Sequence, residues 1–344
     1  MASSPPYSDS KAPPSVDASV AWAARMAARR AHATWRPSEG ASRYGIRLRR
    51  FAGPAVYRDQ IAHLRIAHIT DQHVGRITPY EVQLTAVEMA NAERPDLVLL
   101  TGDFVCHSQL WLDQLTELMQ RFKAPVMAVL GNHDHWSGAD EVKRALERGG
   151  VEVLCNRNTT ITLGQQRLQV VGLDDAYTGH ARRDESVKGL RADLPSIALS
   201  HIAEEADGLW RYGIPLVLSG HTHGGQVTLA RLHEFAVGKI AGHRYVHGLY
   251  GSRRHTNHKT RPEPEGAVYV GAGIGAAVVP FRLGERGKRE VTIFELGCEP
   301  GDFVEHHTEQ EALPGRKPTQ ATMARRAQAV VRKRLRRERR HGRL

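Results

Sequence analysis

Cysteine is scarce in this chain: three residues in 344, Cys106, Cys155 and Cys298, lie far apart and form no C-x-x-C pair. An odd, scattered set argues against a disulfide framework and suits a reducing compartment. Long apolar runs are missing as well. No stretch reaches the roughly 18 apolar residues that a membrane-crossing helix needs, so none is expected. Nor is a secretory leader expected, because the apolar candidate near the start, 20–28, is broken by Arg25 and followed by Arg29 and Arg30. The expected location is cytoplasmic, with the basic ends allowing peripheral contact with a membrane.

The folded body also lacks an excess of positive charge. The formal net charge is +11, yet residues 315–344 alone hold twelve Lys and Arg against one acid. Eight further Arg against Glu39 lie in 24–50, which leaves 51–314 mildly acidic. Charge therefore describes the ends, not the body. The expected divisions are a disordered leader and basic Ala/Arg-rich helix over 1–43, one large domain over 44–300, and a basic tail over 301–344. Such ends fit an anionic membrane surface. A nucleic-acid partner is not expected, since the Arg-rich stretch 315–344 has no aromatic side chain on which bases would stack.

What the body does have is five clusters of Asp, Asn and His, each directly after a short apolar run. They are Asp71-Gln72-His73, Gly102-Asp103, Gly131-Asn132-His133-Asp134, Ser200-His201 and Gly220-His221-Thr222-His223. Helical stretches near 79–94 and 108–122 separate the first three, and a last strand is predicted over 290–296. This alternation predicts an α/β sandwich. Side chains at the carboxyl ends of strands in such a sheet converge on one crevice.

The residue types then suggest the chemistry. Asp71 and His73, two apart, share a face. Asp103 follows a glycine turn, and its two oxygens can bridge two cations, which an imidazole cannot. Asp71, His73, Asp103, Asn132, His201, His221 and His223 make seven ligands, a set suited to two divalent ions about 3.5–4 Å apart. Imidazole with carboxylate fits Mn, Fe or Zn. His133 is left over from the ligands and reads as a general acid tuned by Asp134. Arg76 and Arg282 are candidates to clamp a phosphate. His107, His135 and His180 could line the cleft, and His243 and His247 could reach it from a long polar loop over about 231–265.

The series D-x-H, G-D, G-N-H-D, S-H and G-H-T-H-G-G-Q, running from Asp71 to Gln226, resembles the calcineurin-like metallophosphoesterase superfamily. It is most like the bacterial membrane-associated branch, as are Gly273, Gly275, Pro280 and Arg282. The resemblance spans roughly 44–296. It implies a four-layer α/β/β/α sandwich with mixed central sheets and the metal site at the strand carboxyl ends. One metal would take Asp71, His73, Asp103 and His223; the other would take Asp103, Asn132, His201 and His221. His133 would be the acid. The implied reaction is cleavage of a phosphodiester or pyrophosphate bond by a metal-bridging hydroxide. The substrate would be a small-molecule or lipid-linked phosphoester, such as a nucleotide-sugar lipid. A nuclease or cyclic-nucleotide phosphodiesterase is the alternative, and a non-catalytic phosphoester-binding module a third reading. Two departures stand out: Gln72 replaces a commonly apolar residue, and Ile202-Ala203-Glu204 replaces the usual x-Pro-Asp after the S-H pair.

Overall fold

The computed structural model describes residues 43–225, 242–251, 266–276 and 287–298, with further positions between 322 and 335. Residues 1–42 of the expected leader and helix over 1–43, Gln226, Pro280, Arg282 and much of the 231–265 loop lie outside the described residues. Among the described residues, twelve strands form two six-stranded mixed sheets. The first sheet orders β1 (Arg47–Phe51), β12 (Glu290–Leu296), β2 (Leu64–Ile69), β3 (Leu97–Thr101), β4 (Val126–Val129) and β5 (Val151–Val153). The second orders β10 (Gly248–Gly251), β11 (Ala267–Val270), β9 (Leu216–Ser219), β8 (Ser196–Ser200), β7 (Gln166–Leu173) and β6 (Arg157–Leu163).

The inner strands β3, β4, β8 and β9 are mostly apolar along their length because both of their faces are covered, whereas the edge strands β1 and β6 carry partly exposed polar residues. One cluster lies between the sheets: Ile66, Leu97, Leu99, Met127 and Val129 from the first meet Val170, Ile197, Leu199, Leu218 and Tyr269 from the second. Their neighbours Val98, Leu100 and Ala128 point the other way and are equally buried. The buried faces of helices α1 (Tyr80–Ala92), α2 (Leu112–Gln120) and α4 (Ala139–Arg148) supply the cover on that side. Leu209, Trp210 and Ala206 cover the outer face of the second sheet over Val171, Val217 and Val268. The order is helices, sheet, sheet, helices. Within each sheet β2, β3 and β4, and β7, β8 and β9, run parallel, so their carboxyl ends emerge together. The short helix α3 (Asn132–Ser137) starts just past β4.

At the edge of the first sheet, charges are buried as a network. Glu295 of β12 accepts hydrogen bonds from His63 Nε2 at 2.6 Å and from Arg65 Nε at 2.7 Å. Burial raises a carboxyl's pKa, but these bonds outweigh it and pull Glu295 from 4.5 down to about 2. The folded-state value is depressed, so the stabilisation is complete above pH 4.5 and is lost as pH falls toward 2. Its size is about 3 kcal/mol. Denaturant midpoints measured from pH 6 to 2 should therefore fall more steeply in the wild type than in Glu295→Gln. Equal slopes would show that this carboxylate does not drive the acid loss.

Candidate metal centre

The seven predicted ligands come from strand ends or the turns after them. Five are held with φ in the left-handed region: Asp71 at 49°, His73 at 45°, Asp103 at 56°, His221 at 74° and His223 at 52°. Such backbone costs about 1–3 kcal/mol per residue and persists only where its surroundings enforce it. Those surroundings are visible. Asp71 N–H donates to Gly102 O at 3.0 Å and His73 N–H to Asp103 O at 2.9 Å, which stitches the first two clusters together. From the far side, Ile274 N–H donates to Thr70 O at 3.1 Å and Gly275 N–H to Asp71 O at 2.7 Å. Gly275 lies so close to the Gln72 carbonyl that a Cβ there would clash with it. This gives the Gly273 and Gly275 pattern a physical role, since only glycine lets that loop press against the D-x-H turn.

Two groups of ligand atoms result. Asp71, His73, Asp103 and His223 offer atoms within 4.8 Å of one another, and so do Asp103, His201 and His221. Asn132 joins the second group, its Oδ1 lying 2.9 Å from His221 Nδ1. Asp103 is common to both. Its Oδ2 stands 3.3 Å from His201 Nε2 and 3.7 Å from His73 Nε2, while Oδ1 accepts the His133 N–H at 2.8 Å. All of these but His221 are buried.

The donor chemistry fits cations. Asp71 Oδ2 accepts from Thr70 Oγ1 at 2.8 Å and from the His221 N–H at 3.1 Å. Its Oδ1 is buried without a hydrogen bond and lies 3.3 Å from His223 Nε2. An anionic oxygen left bare among imidazole nitrogens is satisfied by a cation. His201 Nδ1 donates its proton to the Thr101 carbonyl at 2.6 Å, which orients the ring so that Nε2 faces Asp103, where a cation would take the place of the Nε2 proton. Burial opposes charge on His201, but the Asp103 carboxylate dominates and pushes it up to about 10. Burial, helped by Asp103, lifts Asp71 to about 6, against the pull of His201. Burial and the charge of His201 hold His221 well below its ordinary value. Protons and cations compete for such a field.

His133 is buried beside the shared carboxylate, its Nε2 at 3.9 Å from Asp103 Oδ2. Its ring packs at 4.3 Å from His107 and 4.9 Å from Trp136. Asp134 serves the backbone: its carboxylate accepts N–H bonds from Asp103 (2.9 Å), Phe104 (2.8 Å), Val105 (3.2 Å) and Gly131 (2.9 Å). It thus grips the turn that presents Asp103, and any influence on His133 is through the field. Burial and Asp103 nonetheless lift Asp134 to about 7.

Other candidates are placed differently. Arg76 is exposed on the turn after Val74. His135 bonds Asp174 at 2.8 Å and stacks on His180 at 4.1 Å. His243 reaches the cleft, its ring 5.1 Å from His221. His247 is buried against Glu290 at 3.0 Å, between the sheets rather than at the cleft. Sequence reasoning missed Cys106, whose thiol groups with His73 and His133 within 4.8 Å. It also missed Tyr177, whose ring lies 5.1 Å from His221 and 6.0 Å from Trp136. No spacing signal marks either residue.

Residues 64–225 match the family described as calcineurin-like phosphoesterase. Phosphodiesterase YaeI of Escherichia coli (strain K12) is 28% identical over 70% of this chain and 85% of its own length. The uncharacterized metallophosphoesterase YkuE of Bacillus subtilis (strain 168) is 28% identical over 67% of this chain and 78% of its own. Among solved structures, a 5'-nucleotidase precursor from Thermus thermophilus aligns with a TM-score of 0.42 and 16% identity, over 78% of this chain and 59% of that one. The chain is a hydrolytic phosphoesterase. Within that class it carries a calcineurin-like metallophosphoesterase domain, a family that uses divalent metals. Among the described residues no helix is long and apolar enough to cross a membrane.

Proposed function

We propose that the chain cleaves a phosphodiester or pyrophosphate bond at two divalent cations, Mn, Fe or Zn. One would be held by Asp71, His73, Asp103 and His223, the other by Asp103, Asn132, His201 and His221. The observation that carries this reading is the Asp103 carboxylate, which belongs to both groups of converging ligand atoms. Two cations there would neutralise the phosphoryl oxygens and lower the pKa of a shared water. The chain's own residues do the rest. His133, beside Asp103, gives its proton to the oxygen that leaves as the phosphorus–oxygen bond breaks. Asp134 holds the Asp103 turn, and the Thr101 carbonyl holds the His201 ring. The solvent-exposed Arg76 is retained as a candidate phosphate contact, as is Arg282.

Diester over monoester is supported by the likeness to a protein named a phosphodiesterase. A lipid-linked substrate, met at the cytoplasmic face of a membrane, is supported by the basic stretches 24–50 and 315–344. The test compares bis-p-nitrophenyl phosphate with p-nitrophenyl phosphate, using the full chain stripped by chelator and reloaded with Mn. Turnover of the diester that disappears on chelation is expected. Turnover of the monoester alone would overturn the diester reading.

A further inference from the structure

Arg326, in the basic tail, has no place in the site described so far. The described positions from 322 to 335 are helical, and Arg326 is half-buried there while its neighbour Arg325 is exposed. The Arg326 guanidinium carbon sits 3.9 Å from the centre of the Tyr177 ring. That ring is in turn 5.1 Å from His221, a member of the second ligand group. A tail rich in Arg thus sets one side chain against the rim of the cleft, one aromatic ring removed from the candidate cations.

A guanidinium stacked on a ring engages it through its flat face. Its N–H donors lie in the guanidinium plane, in the fork that matches two phosphate oxygens, and stacking fixes where the fork points. The charge of the scissile phosphate would be met by the two cations, held by the ligand groups above, and by His133. A substrate that extends past the reacting phosphorus on the Tyr177 side would bring its further charge toward the Arg326 guanidinium. We propose that Arg326 is a specificity residue that binds a second phosphate adjoining the scissile one, so that the site favours a pyrophosphate linkage over an isolated diester. This deepens the two-cation reading above and rests on it. Tyr177 is the support that orients the contact.

The test is calorimetric binding to the Mn-loaded full chain, which does not depend on turnover. Two probes differ by one phosphate: adenosine 5'-monophosphate and adenosine 5'-(α,β-methylene)diphosphate. The wild type should prefer the diphosphate. Arg326→Ala should weaken the diphosphate about tenfold and leave the monophosphate within about twofold. Arg325→Ala, which removes the same charge one position away, should keep the preference. A preference unchanged in Arg326→Ala, or lost equally in Arg325→Ala, overturns the proposal. Tighter binding of both probes to Arg326→Ala also overturns it, in favour of a tail that plugs the cleft. If neither probe binds even the wild type with Mn loaded, the two-cation reading itself has failed, a result distinct from the others.

Discussion

Asp103→Asn is expected to bind neither cation tightly and to lose diester turnover by on the order of a thousandfold or more. The substitution is clean for a geometric reason. Asp103 has φ of 56°, a conformation most side chains resist but asparagine tolerates, so the turn should survive. The amide can still accept the His133 N–H that Asp103 Oδ1 accepts at 2.8 Å. What it cannot do is offer a charged oxygen to both ligand groups at once. His133→Ala makes the contrast. It removes no member of either four-ligand set, so two metals should remain bound while turnover falls about 10²- to 10⁴-fold. Metal content by mass spectrometry, read beside turnover, separates the two roles. Two bound metals and a tenth of the wild-type rate in Asp103→Asn would remove Asp103 from the centre of the mechanism.

The parts of this molecule that could be read from its sequence are those governed by local pattern. The strands Leu97–Thr101 and Leu216–Ser219 are covered on both faces, so each is an apolar run ending in a single hydroxyl residue, and Leu64–Ile69 is broken only by Arg65 and His68. The candidate ligands were legible because a strand that ends in Asp or His after such a run has few structural reasons to do so. Long-range pairing was not legible. Nothing local tells β12 to enter between β1 and β2, parallel to one and antiparallel to the other. Supporting roles were hidden for the same reason. Asp134 looks like a partner for His133 because it is next in sequence, but its oxygens turn back to amides around residue 103. His247 sits in a histidine-rich loop, yet its ring meets a glutamate 43 residues away. Tyr177 and Arg326 meet across 149 residues with no motif to announce them.

Glu290 shows how far such hidden support extends, and its removal carries the second large expected effect. It opens β12 and is almost fully buried. Its carboxylate accepts from Tyr269 Oη at 2.8 Å and from the Ala272 N–H at 2.9 Å, and pairs with His247 at 3.0 Å and Arg49 at 3.7 Å. Burial disfavours its charge, but His247 and Arg49 prevail and hold it well below the usual carboxylate range. Ala272 begins the loop whose Ile274 and Gly275 amides hold Thr70 and Asp71 in place. Glu290→Ala removes one member of a buried charged network, which costs about 3–5 kcal/mol. The loss should also reach the site: with the 271–276 loop slackened, the left-handed turn at Asp71 loses its brace, and metal affinity should drop about 10- to 100-fold. Glu290→Gln separates the causes, because it keeps the volume and an oxygen for Ala272 but not the charge. Chemical denaturation together with Mn titration reads both effects. If Glu290→Ala lowers stability but leaves Mn affinity at the wild-type value, the network supports the sheet alone and the Asp71 turn is held by other contacts.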